Sequence, residues 1–160
     1  MKPVFALQKL PKSIFLAGPT PREEQVSSWR PYALQLLEKI GFDGNVYVPE
    51  SEDWAKHNHY DDQVQWEWEA LSISTIVLFW IPRDLNDMPA FTSNVEFGLT
   101  VAGGKAILGY PKGAPKMNYL AALAQRHNVL VAHNLEEALH LAVWRAQKPY
   151  GVSPHLAGWE

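Results

Sequence analysis

The chain has 160 residues, 47% of them apolar, and a formal net charge of −3. This length suits one domain with one core, and the weak negative charge argues against a nucleic-acid polymer or an anionic membrane as partner. The absence of cysteine excludes disulfides, thiolate metal sites and cysteine nucleophiles. No apolar run approaches the about 18 residues of a membrane span, so we expect a soluble, cytoplasmic protein.

Short apolar runs alternate with segments of helical periodicity along most of the chain. The strands predicted from the apolar runs cover residues 13–18, 45–49, 75–82, 105–110 and 128–132. The helices predicted from the periodic segments cover residues 23–40, 61–74, a segment that starts at 93, 118–125 and 135–147. The continuous apolar character of the third strand is typical of a central parallel strand covered on both faces.

This alternation predicts an α/β fold with right-handed crossovers. Five strands favour a flavodoxin-like, doubly wound parallel sheet in the order 2-1-3-4-5, with helices on both faces. We expect residues 1–160 to form a single domain. Residues 148–160 have no clear periodicity and carry aromatic side chains, so we expect them to dock as a C-terminal tail.

Glu96 follows the third predicted strand, at the start of the next helix. In a doubly wound sheet, ligands bind beyond the carboxyl ends of the strands, so Glu96 lies at the ligand-binding edge. Two interpretations are open. Ser93 and Glu96 fit an S-x-x-E capping box, in which the two side chains satisfy backbone donors at a helix N-terminus. Alternatively, the carboxylate of Glu96 faces a cleft and takes part in chemistry.

The second predicted helix begins at the same edge of the sheet. Asp62 and Gln63 therefore start near the cleft, and Glu67 follows roughly 6 to 8 Å further along the helix axis. Glu67 and Glu96 form a candidate pair of carboxylates. A solvated helix face accounts for Glu67 equally well.

Other familiar motifs are missing from the sequence. It contains neither G-x-G-x-x-G nor G-x-x-x-x-G-K-[ST], which argues against dinucleotide and P-loop sites. His57-Asn58-His59 superficially spells a nuclease motif, but the surrounding metal ligands are absent and a solvated loop is favoured. We therefore predict no metal and no organic cofactor.

Seven stretches occur in one consistent order over about two thirds of the chain: SIFLAGPTPR, SSWRPYA, VYVPE, QWEWEAL, IVLFWIPRD, TSNVEFG and KAILGYP. Together they resemble the nucleoside 2-deoxyribosyltransferase-like proteins. The resemblance implies cleavage of an N-glycosidic bond in a nucleoside or nucleotide, with a free nucleobase as second partner. It also implies a homodimer or higher homo-oligomer in which a neighbour's C-terminal segment completes the site.

The resemblance further implies that Glu96 attacks the anomeric carbon of the sugar, with Asn94 and Gly98 in the matching places of an N-x-E-x-G-like setting. A covalent deoxyribosyl-enzyme then passes the sugar to a second base or to water, as in retaining glycoside cleavage. Glu67 or Asp62 is the candidate group for the proton on the leaving base.

The loop after the first predicted strand is the expected sugar site. Gly18, Pro19 and Thr20 would approach the sugar through their backbone, and Gln63 joins them as a predicted substrate-binding residue. Arg22 suits a 5′-phosphate, as the corresponding loop of related nucleotide N-glycosidases implies, because a guanidinium binds phosphate in a bidentate manner. A surface arginine is the equally simple alternative.

The chain departs from the family pattern at two places. Phe15 stands where the transferases commonly have a tyrosine that orients the nucleophile, and residues 89–91 lack the aspartate expected before the glutamate, with Asp87 shifted upstream. These departures favour an alternative, a nucleotide-binding sensor of the same fold that does not cleave its ligand. A further alternative is an NAD-cleaving hydrolase, which also uses a glutamate beside a ribose.

Overall fold

The computed structural model describes residues 2–4, 8–21, 25–50 and 60–148. Within these ranges the strands are β1 Lys2–Val4, β2 Ser13–Ala17, β3 Asn45–Tyr47, β4 Ile76–Trp80, β5 Ala106–Gly109 and β6 Leu130–Ala132. They form one parallel sheet in the order β1-β3-β2-β4-β5-β6. The crossover from β2 to β3 and the crossover from β4 to β5 leave in opposite directions, so a crevice opens between the ends of the neighbouring strands β2 and β4.

The predicted flavodoxin-like α/β fold is confirmed. The five predicted strands are β2 to β6, and their observed order is the predicted 2-1-3-4-5. The prediction missed β1, which pairs with β3 at the edge of the sheet. Its three residues are too few to show a periodic pattern.

Helices cover both faces of the sheet, as predicted. In the described ranges they are α1 Arg30–Ile40, α2 Tyr60–Ile73, α3 Phe91–Thr100, α4 Asn118–Arg126 and α5 Leu135–Ala146. Successive side chains of a strand point to opposite faces. Ile14 and Leu16 of β2 therefore pack with α1 and α5, whereas Phe15 and Ala17 pack with α2, α3 and α4. Among the described helices, none combines the length and the apolar character needed to cross a bilayer.

Helix α1 begins later than predicted. The sequence indicated a helix from residue 23, but the described residues 25–29 are not helical and the helix begins at Arg30. Pro31 explains the correction, because proline lacks the N–H that a helix interior requires and is tolerated only in the first turn.

Helix α3 begins earlier than predicted, and this removes the capping-box interpretation of Glu96. Its N-cap is Ala90, which has φ of 59° and makes no side-chain capping hydrogen bond. Ser93 therefore lies inside the first turn and Glu96 in the second turn, where a side chain has no orphan N-terminal donor to cap. Capping of the helix N-terminus therefore does not explain why a glutamate occurs at position 96.

Candidate active site

A cavity of about 290 Å³ opens at the carboxyl ends of the central strands. Its wall includes Phe15 and Ala17 of β2, the loop 18–20, and Pro49 beyond the end of β3. Helix α2 and the start of α3 close the other sides. The cavity therefore lies at the switch in strand order where doubly wound folds bind their ligands.

Most of the predicted site residues lie at this cavity, and two do not. Those that line it are Gly18, Pro19, Thr20, Gln63, Glu67 and Glu96. Asp62 is exposed and Asn94 is half-buried, and neither belongs to the described lining. Arg22 falls outside the described residues, as do His57 to His59.

Glu96 is held inside the cavity wall by the packing of α3. The neighbouring Phe97 is buried in the core and meets Phe79 of β4 edge to face at 5.3 Å, which fixes the rotation of the helix. The side chain of Glu96 is only 8% exposed. Burial and the nearby charge of Glu67 raise the pKa of Glu96 to about 7, against an opposing effect of Arg30.

Glu67 reaches the same cavity from α2. Gln63, one helical turn earlier, donates from Nε2 to Oε1 of Glu67 at 3.1 Å and so holds the carboxylate in place. Burial raises the pKa of Glu67, while the bond from Gln63 and the charge of Arg30 partly oppose this shift. The structure thus brings the two predicted carboxylates to one cavity.

The two carboxylates titrate as a pair. Each is removed from water, and the negative charge of Glu67 disfavours ionisation of Glu96. Interacting acids of this kind lose their protons in two steps that belong to the pair. Near neutral pH the pair can share one proton, and the arrangement with that proton on Glu67 and the charge on Glu96 provides a nucleophile beside an acid.

The loop after β2 depends on glycine at its first position. Gly18 has φ of 140°, and a Cβ atom there would lie 2.1 Å from the carbonyl oxygen of Trp80. A side chain from outside the loop also holds it in place, since Nε1 of Trp29 donates a hydrogen bond to the carbonyl oxygen of Pro19 at 3.1 Å. The cavity wall formed by residues 18–20 is therefore closely constrained.

We expect Gly18→Ala to lower the free energy of unfolding by about 2 to 5 kcal/mol, because it adds both backbone strain and a clash with Trp80. The matched control is Gly98→Ala on the exposed side of α3, where a Cβ meets nothing within 4 Å. Removing a helical glycine there should raise the same free energy by about 0.5 to 1 kcal/mol. Urea unfolding measures both, and equal stability of Gly18→Ala and the parent protein would contradict the constraint.

Sequence reasoning missed Arg30 and its partner Glu50. Arg30 lines the cavity at the first position of α1, is 1% exposed, and forms an ion pair with Glu50. Cations are disfavoured near helix N-termini. An arginine followed by proline at a helix start therefore indicates that the arginine has a specific role at that position. The signal was lost because the helix was predicted to begin seven residues too early.

The side chain of Asn94 is hydrogen-bonded to a residue outside the described cavity lining. Its side-chain oxygen accepts a hydrogen bond from Nη2 of Arg83, whose Nη1 donates to the carbonyl oxygen of Lys116 at 3.4 Å. Asn94 thus links α3 to the segment before α4.

The two departures from the family pattern both lie in the cavity wall. Phe15 is 1% exposed and packs edge to face against Trp66, with the ring centroids 5.8 Å apart. Ala90 lines the cavity at the start of α3. The hydroxyl of Tyr47, the register partner of Phe15 on β3, bonds to the backbone of Gln8 and Leu10. The hydroxyl of Tyr47 is therefore already hydrogen-bonded to this backbone and does not orient the carboxylate pair.

Metal ligands do not cluster in the part of the chain that the structure describes. No group of three or more histidine, aspartate or glutamate side chains there could hold a metal ion. The polar side chains that line the cavity are two carboxylates, one amide, the buried guanidinium of Arg30, and the hydroxyls of Thr20, Thr92 and Ser93.

The family assignment agrees with this geometry. The family described as nucleoside 2-deoxyribosyltransferase like matches residues 11–114, which include every described residue of the cavity wall. The chain belongs to this family, and membership supports a general role in nucleoside glycosyl transfer. No curated protein matches the chain.

Proposed function

We propose that the protein cleaves the N-glycosidic bond of a (2-deoxy)nucleoside or nucleotide through Glu96 as nucleophile and a covalent glycosyl-enzyme. The observation that carries this proposal is the buried Glu96, with a pKa of about 7, beside the half-buried carboxylate of Glu67 in the cavity at the strand switch. Family membership supports the substrate class, a small-molecule nucleoside.

The reaction proceeds in two displacements. A carboxylate oxygen of Glu96 bonds to the anomeric carbon as the bond from that carbon to the base nitrogen breaks, and the electron pair leaves with the base. Glu67 gives its proton to the departing base. A second base or water then attacks the anomeric carbon, passes its proton to Glu67, and releases the carboxylate of Glu96.

The remaining predicted residues have supporting roles in this proposal. Backbone groups of Gly18, Pro19 and Thr20 approach the sugar, and Gln63 orients Glu67 through the hydrogen bond between them. Neither displacement requires a metal or an organic cofactor. Asp62 and Asn94 lie outside the described cavity lining, and their contact with the substrate stays a prediction.

The direct test is incubation with deoxynucleosides, ribonucleosides and their monophosphates, with and without a free acceptor base. We expect release or exchange of a base, detected by chromatography, because the cavity carries both groups that the two displacements need. Glu96→Gln should abolish it. Full activity of that variant would contradict the proposal, and the reactive member of the panel would identify the sugar and base.

A nucleotide sensor is the second candidate, and Phe15 and Ala90 favour it. Both are buried in the cavity wall where the resemblance implied a hydroxyl and a carboxylate. A sensor would bind a nucleoside or nucleotide in calorimetry and leave it chemically unchanged. Any turnover that depends on Glu96 excludes this candidate.

We also propose that copies of the chain associate and that the C-terminal tail takes part. The tail from residue 149 lies outside the described residues, so this proposal rests on the family resemblance. Truncation after Gln147 should weaken both association, measured by analytical ultracentrifugation, and affinity for the nucleoside. Unchanged values of both would remove the tail from the site.

A further inference from the structure

We propose that Arg30 is a positioning residue, which clamps the loop 18–20 to the end of β2 and, paired with Glu50, presents a fixed positive charge to the two cavity carboxylates. This inference rests on the function proposed above. It assigns a role to a side chain that the two displacements themselves do not use.

The clamp consists of hydrogen bonds to three successive parts of the same segment. Nε of Arg30 donates to the carbonyl oxygen of Leu16 at 3.0 Å, and Nη2 donates to that of Gly18 at 2.7 Å. Nη1 donates to the hydroxyl of Thr20 at 3.1 Å and also to the carboxylate of Glu50. A planar fork of five N–H groups can reach all four acceptors at once, whereas a lysine ammonium cannot.

Carboxylates face Arg30 from three elements of the fold. Glu50 lies beyond the end of β3, Glu67 projects from α2, and Glu96 projects from α3. All three interact electrostatically with the buried guanidinium. The ring of Trp29 lies on a further side, 4.8 Å from the guanidinium carbon, and adds no formal charge.

A purely structural clamp would not need its charge at the cavity wall. Burying a guanidinium is costly unless it is paired, and here Glu50 supplies the pairing partner. Glu50 offsets part of the charge of Arg30, which reduces the repulsion between Arg30 and the positive charge that develops on the sugar during cleavage. Arg30 alone still favours the ionised form of Glu96 over the protonated one. The negative charge of Glu50 limits how far Arg30 can lower the pKa of Glu96.

The test is the titration of Glu96 itself, followed by NMR of protein labelled with ¹³C at glutamate side chains. The signal of Glu96 is the one lost in Glu96→Gln. We expect its midpoint, about 7 in the parent protein, to rise by about one pH unit in Arg30→Gln, because the attracting charge is gone. It should fall in Glu50→Gln, because a repelling charge is gone and Arg30 is unpaired.

The matched control is Arg83→Gln, which removes another buried arginine outside the described cavity lining. It should leave the midpoint of Glu96 unchanged. If Arg30→Gln does not fold, Arg30→Lys and Glu50→Gln still test whether Arg30 positions the loop and acts on the titration of Glu96. Arg30→Lys keeps the charge, so the midpoint should stay close to the parent value while kcat/KM falls by about tenfold through loss of the clamp.

An unchanged midpoint of Glu96 in both Arg30→Gln and Glu50→Gln would overturn the inference. So would an equal change in Arg83→Gln, because the effect would then be a general response to losing a buried charge. The titration needs no substrate. Absence of turnover would therefore refute the proposed function, while the midpoints would still decide the role of Arg30.

Discussion

Glu96→Gln will reduce base release by roughly 10³-fold or more, the largest loss expected from any single substitution in this protein. The amide has nearly the shape of the carboxylate but is not an effective nucleophile at the anomeric carbon. Initial rates with the nucleoside identified by the panel measure this loss. Since the residue lies in the second turn of α3 and caps nothing, the variant should remain folded.

The same substitution will make the protein more stable in mild alkali. The pKa of Glu96 is raised in the folded state from 4.5 to about 7, so its contribution to stability is complete below pH 4.5 and is lost as the pH rises through 7. One pKa unit corresponds to about 1.36 kcal/mol, so at about pH 8 the variant should be more stable by about 2 to 3 kcal/mol.

Unfolding in urea across this pH range measures the difference between the parent protein and Glu96→Gln. The matched control is Glu69→Gln, which removes an exposed carboxylate of α2 and should follow the parent curve. A stability difference for Glu96→Gln that is the same at pH 5 and pH 8 would show that the carboxylate is not buried as described.

Glu67→Gln has the second largest expected effect. Loss of the proton donor should lower kcat by about 10²-fold for substrates with a strongly basic leaving group. A substrate whose leaving group needs no proton should lose far less. The charge of Glu67 is one of the causes that raise the pKa of Glu96, so in this variant the pKa of Glu96 should fall below about 7.

Two readouts therefore separate a proton donor from a structural residue at position 67. The pH profile of kcat/KM should lose its alkaline limb, which reports the loss of the proton that the carboxylate pair shares. Glu69→Gln, two residues further along α2, should change neither limb. An equal loss of rate for good and poor leaving groups in Glu67→Gln would assign Glu67 to packing or binding.

The sequence predicted the meeting of Glu67 and Glu96 through topology alone. Both residues lie on helices that follow parallel strands, whose carboxyl ends share one edge of the sheet, and the sequence shows the alternation of strands and helices directly. The rotation of α2 and α3 about their axes was less predictable. It is set by contacts such as that of Phe97 with Phe79, between residues distant in the chain.

The sequence could not reveal where a side chain already has a partner. Asn94 occupies the expected place in its motif, yet its amide is bound by Arg83 from a neighbouring loop. Arg30 falls in the interior of the predicted helix 23–40, whereas in the structure it is the first residue of α1. Its acceptors at Leu16, Gly18 and Thr20 depend on how the loop after β2 turns, which no spacing of residues shows.

The most direct test of the account is intact-mass analysis of protein quenched in acid during turnover, followed by peptide mapping of any adduct. The account predicts a glycosyl group of one sugar mass on Glu96, within the α3 peptide, in the parent protein and none in Glu96→Gln. Turnover with the adduct on a different residue, or undiminished turnover by Glu96→Gln, would contradict the central claim that Glu96 is the nucleophile.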